Sequence, residues 1–212
     1  MAPYRPWLRM LMAAALALTL TLTVGAPLAA TLDVAWWRDG RLHAVQLSED
    51  GASRPAGFDA GRAVPLGSLW KLFVYVYAVD TRLPMPDYPC AGRDQEEVYC
   101  CEAGQRVGRD AALAQSCGLF FAPARLLLTR EPWRRYWSGR LGRPVDGEFD
   151  WLADPAGLTP QRQVGLGSLL RALGSLPPAS RADAESALLH VVLSGRAAGS
   201  ARWFGSRLRV KT

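Results

Sequence analysis

The stretch from Leu69 to Val79 carries one charged residue, Lys71, and is otherwise apolar or aromatic. Such a segment offers no face to water, so the chain has to fold around it. Its residues pull two ways. Phe73, Val74, Tyr75, Val76 and Tyr77 carry side chains that favour a strand. An apolar run of this length also suits a helix buried in a core. What precedes it, Val64-Pro65-Leu66-Gly67-Ser68-Leu69-Trp70-Lys71, decides the matter. A serine and a lysine three apart share a face on a helix and lie on opposite faces of a strand. The reading is a buried helix, with Gly67 turning the backbone just ahead of Ser68.

That pairing has a chemical use. A serine at a helix start can hand its proton to a lysine one turn on, and the positive helix N-terminus suits the alkoxide that results. The lysine works as a base only when its amine is neutral, which burial or a second cation promotes. Of 25 basic residues, 23 are arginine and only Lys71 and Lys211 are lysine. Arginine stays protonated and cannot serve as a general base. A chain that uses arginine for generic charge has therefore placed a lysine in Ser-x-x-Lys.

The N-terminus is a targeting signal. Arg5 and Arg9 precede an apolar region from Leu11 to Val24, 14 residues long, followed by Gly25-Ala26-Pro27-Leu28-Ala29-Ala30. A membrane span needs about 20 apolar residues. Residues 1–30 therefore read as a cleaved signal peptide, with an uncleaved membrane anchor as the alternative, and 31–212 as one exported domain. Cleavage takes Arg5 and Arg9 off the formal +6 and leaves +4. That bias suits anionic wall polymers or membrane surfaces, and no basic run argues for nucleic acid.

Downstream elements follow from period and turn chemistry. Leu32–Trp37 and Arg41–Leu47 alternate about Asp39-Gly40, a hairpin signature. His43, one of two histidines, reads as structural there. Ser48 to Arg62 reads as a loop. Arg109 to Gln115 reads as a helix ending at Ser116. Helical spacing recurs in Trp133, Tyr136, Trp137 and Leu141, and in Leu166, Leu169, Leu170 and Leu173. Pro177-Pro178 separates the latter from Arg181–Leu193, and Ala201–Lys211 closes as one strand and the start of another.

Four cysteines, Cys90, Cys100, Cys101 and Cys117, in an exported chain read as two disulfides. Bonding the adjacent pair would close a strained ring. Cys90 is then tied to one of the pair and Cys117 to the other, both pairings remaining open. Zinc is disfavoured, since there is no Cys-x-x-Cys and no histidine nearby. No metal or cofactor is expected.

Three landmarks now stand in order: Ser68-x-x-Lys71, Ser116-Cys117-Gly118 and Lys211-Thr212. Together they resemble the penicillin-recognising serine acyltransferases, the penicillin-binding transpeptidases, D,D-carboxypeptidases and serine β-lactamases, whose motifs are Ser-x-x-Lys, Ser-x-Asn and Lys-Thr-Gly. Gly67 to Phe73 is similar to the start of that family's central helix. Ala111 to Phe121 resembles its Ser-Cys-Asn segment, and Val191 to Thr212 the approach to Lys-Thr-Gly. More narrowly, the doubled cysteine and Ser-Cys-Gly are similar to an uncharacterised exported family of the YfaQ type.

The resemblance implies an α+β fold (an α/β sandwich) with an antiparallel sheet and a helical subdomain. It also implies acyl transfer on D-Ala-D-Ala-type wall peptides or β-lactams. Ser68 would be the nucleophile, Lys71 its base and Ser116 a proton relay to the leaving amine, while Lys211 and Thr212 would bind the substrate carboxylate. The implied partner is a peptidoglycan stem peptide or a β-lactam. The sequence departs from the pattern at two places. Gly118 stands where the family has Asn, and the chain stops at Thr212 inside the third motif, so the remaining strands and C-terminal helix of such a fold are expected to lie beyond it. The alternative function is a catalytically degenerate domain that binds a wall peptide or an envelope protein.

Overall fold

In a computed structural model the apolar run is a helix, α1 (Leu69–Asp80), and its side chains from Phe73 to Val76 and Ala78 are fully buried. The structure describes residues 30–194, 201–204 and 208–211. Of the segment 1–30 read as a signal peptide, residues 1–29 lie outside them. Among the described residues no helix is long and apolar enough to cross a membrane. Residues 32–212 form one unit with a continuous core.

Aromatic side chains surround α1. Phe73 and Tyr77 lie one turn apart and meet Trp133, Tyr136 and Trp137 of α4 (Arg130–Leu141), with ring centroids 4.9–5.3 Å apart. Phe73 also meets Trp151 edge-on at 5.2 Å. Edge-to-face contacts add about 0.5–1.5 kcal/mol per pair to the area they bury. The indole N–H groups of two of these tryptophans are satisfied. Trp133 Nε1 donates to the Leu152 carbonyl at 2.8 Å, and Trp151 Nε1 to Ser168 Oγ at 3.2 Å. Two short helices, α2 (Arg109–Ala114) and α3 (Gly118–Phe121), and the long α6 (Pro178–Ser194) pack beside α1; α5 (Leu166–Gly174) precedes α6.

The described strands form small antiparallel sheets. β1 (Thr31–Arg38) and β2 (Arg41–Ser48) turn at Asp39-Gly40, both at positive φ (52° and 72°), as a two-residue hairpin turn demands. His43 stacks on Trp36 at 5.5 Å, in keeping with a structural role. Trp37, on the opposite face, lies over α5 so closely that a β-carbon at Gly174 would come within 2.9 Å of its ring.

One expectation needs correcting. The loop from Ser48 to Arg62 contains a strand, β3 (Ser53–Pro55), paired with β2 in the register Val45↔Pro55, Gln46↔Arg54 and Leu47↔Ser53. A cross-strand bond from Arg54 Nε to Gln46 Oε1 at 2.9 Å accompanies the pairing, which the Gly/Ser/Pro composition conceals. β4 (Ala63–Pro65) pairs with β7 (Gln163–Gly165), β5 (Tyr88–Pro89) with β6 (Arg106–Val107), and β8 (Ala201–Phe204) with β9 (Leu208–Lys211).

The disulfides are Cys90–Cys101 and Cys100–Cys117, one of the two pairings left open by sequence, and no described cysteine is free. The segment they staple is organised by Glu97, on a 3-10 helix at Gln95–Tyr99. Its carboxylate accepts from the Ala91 N–H (2.9 Å), the Tyr88 hydroxyl (2.8 Å) and the Arg93 N–H (3.0 Å). Those bonds, the Ala91 N–H foremost, outweigh burial and hold Glu97 at a pKa of about 2.

Two outcomes follow from this packing. Trp137→Ala empties a fully buried site and should cost about 3–5 kcal/mol in denaturant unfolding, against less than about 0.5 kcal/mol for the exposed Leu127→Ala. Because the folded pKa of Glu97 is depressed, its stabilisation is complete above the unfolded value near ~4.3 and is lost as pH falls towards about 2. Thermal midpoints recorded from pH 6 to ~2 should therefore fall less steeply for Glu97→Gln than for wild type.

Candidate functional site

Ser68 is delivered by β4 and β7. The Leu66 N–H bonds the Arg162 carbonyl at 2.8 Å and the Gly67 N–H bonds the Pro160 carbonyl at 2.9 Å, so the strand pairing continues to the edge of the site. Leu66 is buried and anchors the turn. Gly67 sits at φ +55°, a conformation costly for a residue with a β-carbon, and the turn it makes lifts Ser68 onto the head of α1.

Ser68 occupies the N-cap position, yet its side chain makes no capping bond. Its hydroxyl is instead paired with Lys71, whose Nζ lies 3.2 Å from Ser68 Oγ. The serine is exposed, whereas Lys71 is only 6% exposed, enclosed by the core with its Nζ 5.3 Å from the Trp70 ring centroid. An accessible oxygen backed by an enclosed amine is the arrangement a nucleophile and its base require.

Ser116 arrives from the other side. Tyr75 of α1 donates to Asp110 Oδ1 at 2.8 Å, and Arg109 Nε donates to the same oxygen at 2.8 Å, fastening α2 to α1. The Arg109 bond, above all, holds the Asp110 carboxyl below its ordinary range, while burial and the Asp110 bond push the Tyr75 phenol up. Just past α2, Ser116 turns the chain at φ +61° into Cys117, whose disulfide to Cys100 pins the turn. Gly118 then comes against Lys71, since a β-carbon built there would lie 3.7 Å from Lys71 Cε and 3.7 Å from Trp70 Cζ2.

The second sequence landmark thus meets the first through Gly118, which borders Lys71. Of the third, Lys211 closes β9 and Thr212 lies outside the described residues, as do the side chains of that strand. Among the described residues no group of three or more histidines, cysteines and carboxylates is gathered for a metal. Sequence reasoning passed over two residues at this place. One is Trp70, whose ring walls Lys71. The other is Glu96, whose Oε2 is 3.3 Å from that same β-carbon position at Gly118. No sequence signal pointed to Glu96, because its approach depends on Cys100 bonding to Cys117, the residue before Gly118.

Comparison with known proteins places the chain among exported proteins. Residues 92–212 match the model of a family described as "Predicted secreted protein (DUF2300)". Over 167 residues the chain is 44% identical to "Uncharacterized protein YfaQ" of Escherichia coli strain K12. The match covers 79% of this chain and spans 29% of that relative's length. No solved structure matches. The family-model match takes in Glu96, Cys100, Cys101, Ser116, Gly118 and Lys211, whereas Ser68, Trp70 and Lys71 precede it. The chain belongs to the DUF2300 family of predicted secreted proteins and is an exported protein.

Proposed function

We propose that the site is a serine acyl-transfer centre acting on D-Ala-D-Ala-type wall peptides or β-lactams, in a fold related to that of the penicillin-binding enzymes. One observation carries the reading: a buried Lys71 amine lies 3.2 Å from the hydroxyl of an exposed Ser68 that spends no bond on capping its helix.

In this reading neutral Lys71 accepts the Ser68 proton as Oγ bonds to the substrate carbonyl carbon. The C–N bond then breaks, the leaving amine takes that proton, relayed by Ser116, and a Ser68 ester remains. Water or an acceptor amine frees the ester and returns Ser68 to its starting state. The Ser68 N–H, at the head of α1, lies on the side where the helix favours developing negative charge. Lys211 and Thr212 are proposed to hold the substrate carboxylate.

Gly118 favours a second reading, a non-catalytic domain that binds a wall peptide or an envelope protein, because no side-chain amide at 118 can orient Lys71 or the substrate. Intact-mass analysis of the full-length exported protein, with and without benzylpenicillin, separates the two. The catalytic reading expects an adduct on Ser68 that is absent in Ser68→Ala. It also expects Lys71→Arg to slow acylation by about 10²–10⁴-fold. No adduct from either the penicillin or a D-Ala-D-Ala peptide, with Ser68→Ala binding the peptide as tightly as wild type, would establish the binding domain instead.

A further inference from the structure

Glu96 and Glu97 are neighbours on a 3-10 helix, where successive side chains point about 120° apart. Glu97 turns into its own loop and accepts three hydrogen bonds there. Glu96 turns the other way, towards the site. The Cys100–Cys117 disulfide ties the end of this helix to the residue before Gly118, with Cα atoms 4.8 Å apart, so the carboxylate is held there by a covalent link.

Gly118 itself begins α3 at a φ outside the left-handed region, so its backbone would accept a side chain. What a side chain would meet is another matter. A β-carbon would come 3.3 Å from Glu96 Oε2, tighter than ordinary contact, and 3.7 Å from Lys71 Cε. The volume left open by glycine is bordered both by a carboxylate and by the carbon that bears the lysine amine. The groups gathered about Lys71 include the Ser68 hydroxyl from the turn before α1, the Trp70 ring from α1 and, across Gly118, the Glu96 carboxylate.

We propose that Glu96 is a positioning residue for Lys71, its carboxylate reaching the lysine over the bare Cα of Gly118 and setting the pH at which Lys71 releases its proton. A carboxylate brought near the amine favours the ammonium and raises that pH, while burial acts against it. Glycine at 118 is then required by space, and the carboxylate supplies from a second segment a polar neighbour that residue 118 cannot. The catalytic meaning of the pairing rests on the Ser68–Lys71 reading above; the pairing does not.

Lysine labelled with ¹³C at Cε tests it in the full-length protein, with Lys71→Arg assigning the Lys71 signal; these 212 residues hold only one other lysine, Lys211. Glu96→Gln should lower the Lys71 titration midpoint by about 0.5–1 pH unit, and Glu96→Asp should recover part of the shift. Gly118→Ala, which keeps both charges but puts a methyl 3.3 Å from the carboxylate oxygen, should crowd the carboxylate away and move the midpoint the same way. The Glu96 effect should shrink in 1 M salt, because the carboxylate is solvent-exposed. A midpoint unmoved in folded Glu96→Gln, or in folded Gly118→Ala should the first variant fail to fold, overturns the proposal. A shifted midpoint with no adduct at Ser68 keeps the pairing and sinks the acyl-enzyme reading; an adduct with an unmoved midpoint does the reverse.

Discussion

Helix α1 has no polar face, so its burial on all sides is the constraint that the rest of the described structure answers. α4 covers it with an aromatic row, α2 and α3 with alanines and phenylalanines, and the segment around Trp151 closes against Phe73. Burial at this density costs conformational freedom across many residues and returns it through apolar area and ring contacts. The functional consequence is that Lys71, on the first turn of the same helix, is carried out of water with it.

A rigid core also explains the precision at the edge of the site. Ser68 is held by the β4–β7 pairing on one side and by the first turn of α1 on the other, so neither end of the Ser68–Lys71 contact rests on a free loop. Ser116 is held through α2 by Asp110, Tyr75 and Arg109, and through Cys117 by a disulfide. A strand pair, a hydrogen-bonded cluster of Tyr75, Asp110 and Arg109, and a covalent staple support the segments that carry these residues. Groups supported in this way keep their geometry to a fine tolerance.

The cysteine segment does two jobs that sequence alone ran together. Cys90–Cys101 closes the loop that Glu97 fills, and that loop stands without reference to Lys71. Cys100–Cys117 reaches across to the site and brings the 3-10 helix with it. Adjacent cysteines bonded to different partners let one short helix face both ways, with Glu97 inward for stability and Glu96 towards Gly118.

Much of this was legible in the residues. The three-residue spacing of Ser68 and Lys71 chose helix over strand against local propensity, the Asp39-Gly40 dipeptide specified its turn, and the period of Trp133, Tyr136 and Trp137 marked α4. These depend on neighbours within a turn or two, where spacing maps directly onto direction. The choice between two disulfide pairings, the strand hidden at Ser53–Pro55 and the approach of Glu96 to Gly118 did not show, because each depends on segments meeting across the fold. By itself the sequence determined that a serine and a lysine would share the head of a buried helix in an exported, disulfide-bonded chain. Only the tertiary structure decided which carboxylate would stand beside them, since that depends on which cysteine bonds to Cys117, and no local spacing encodes it.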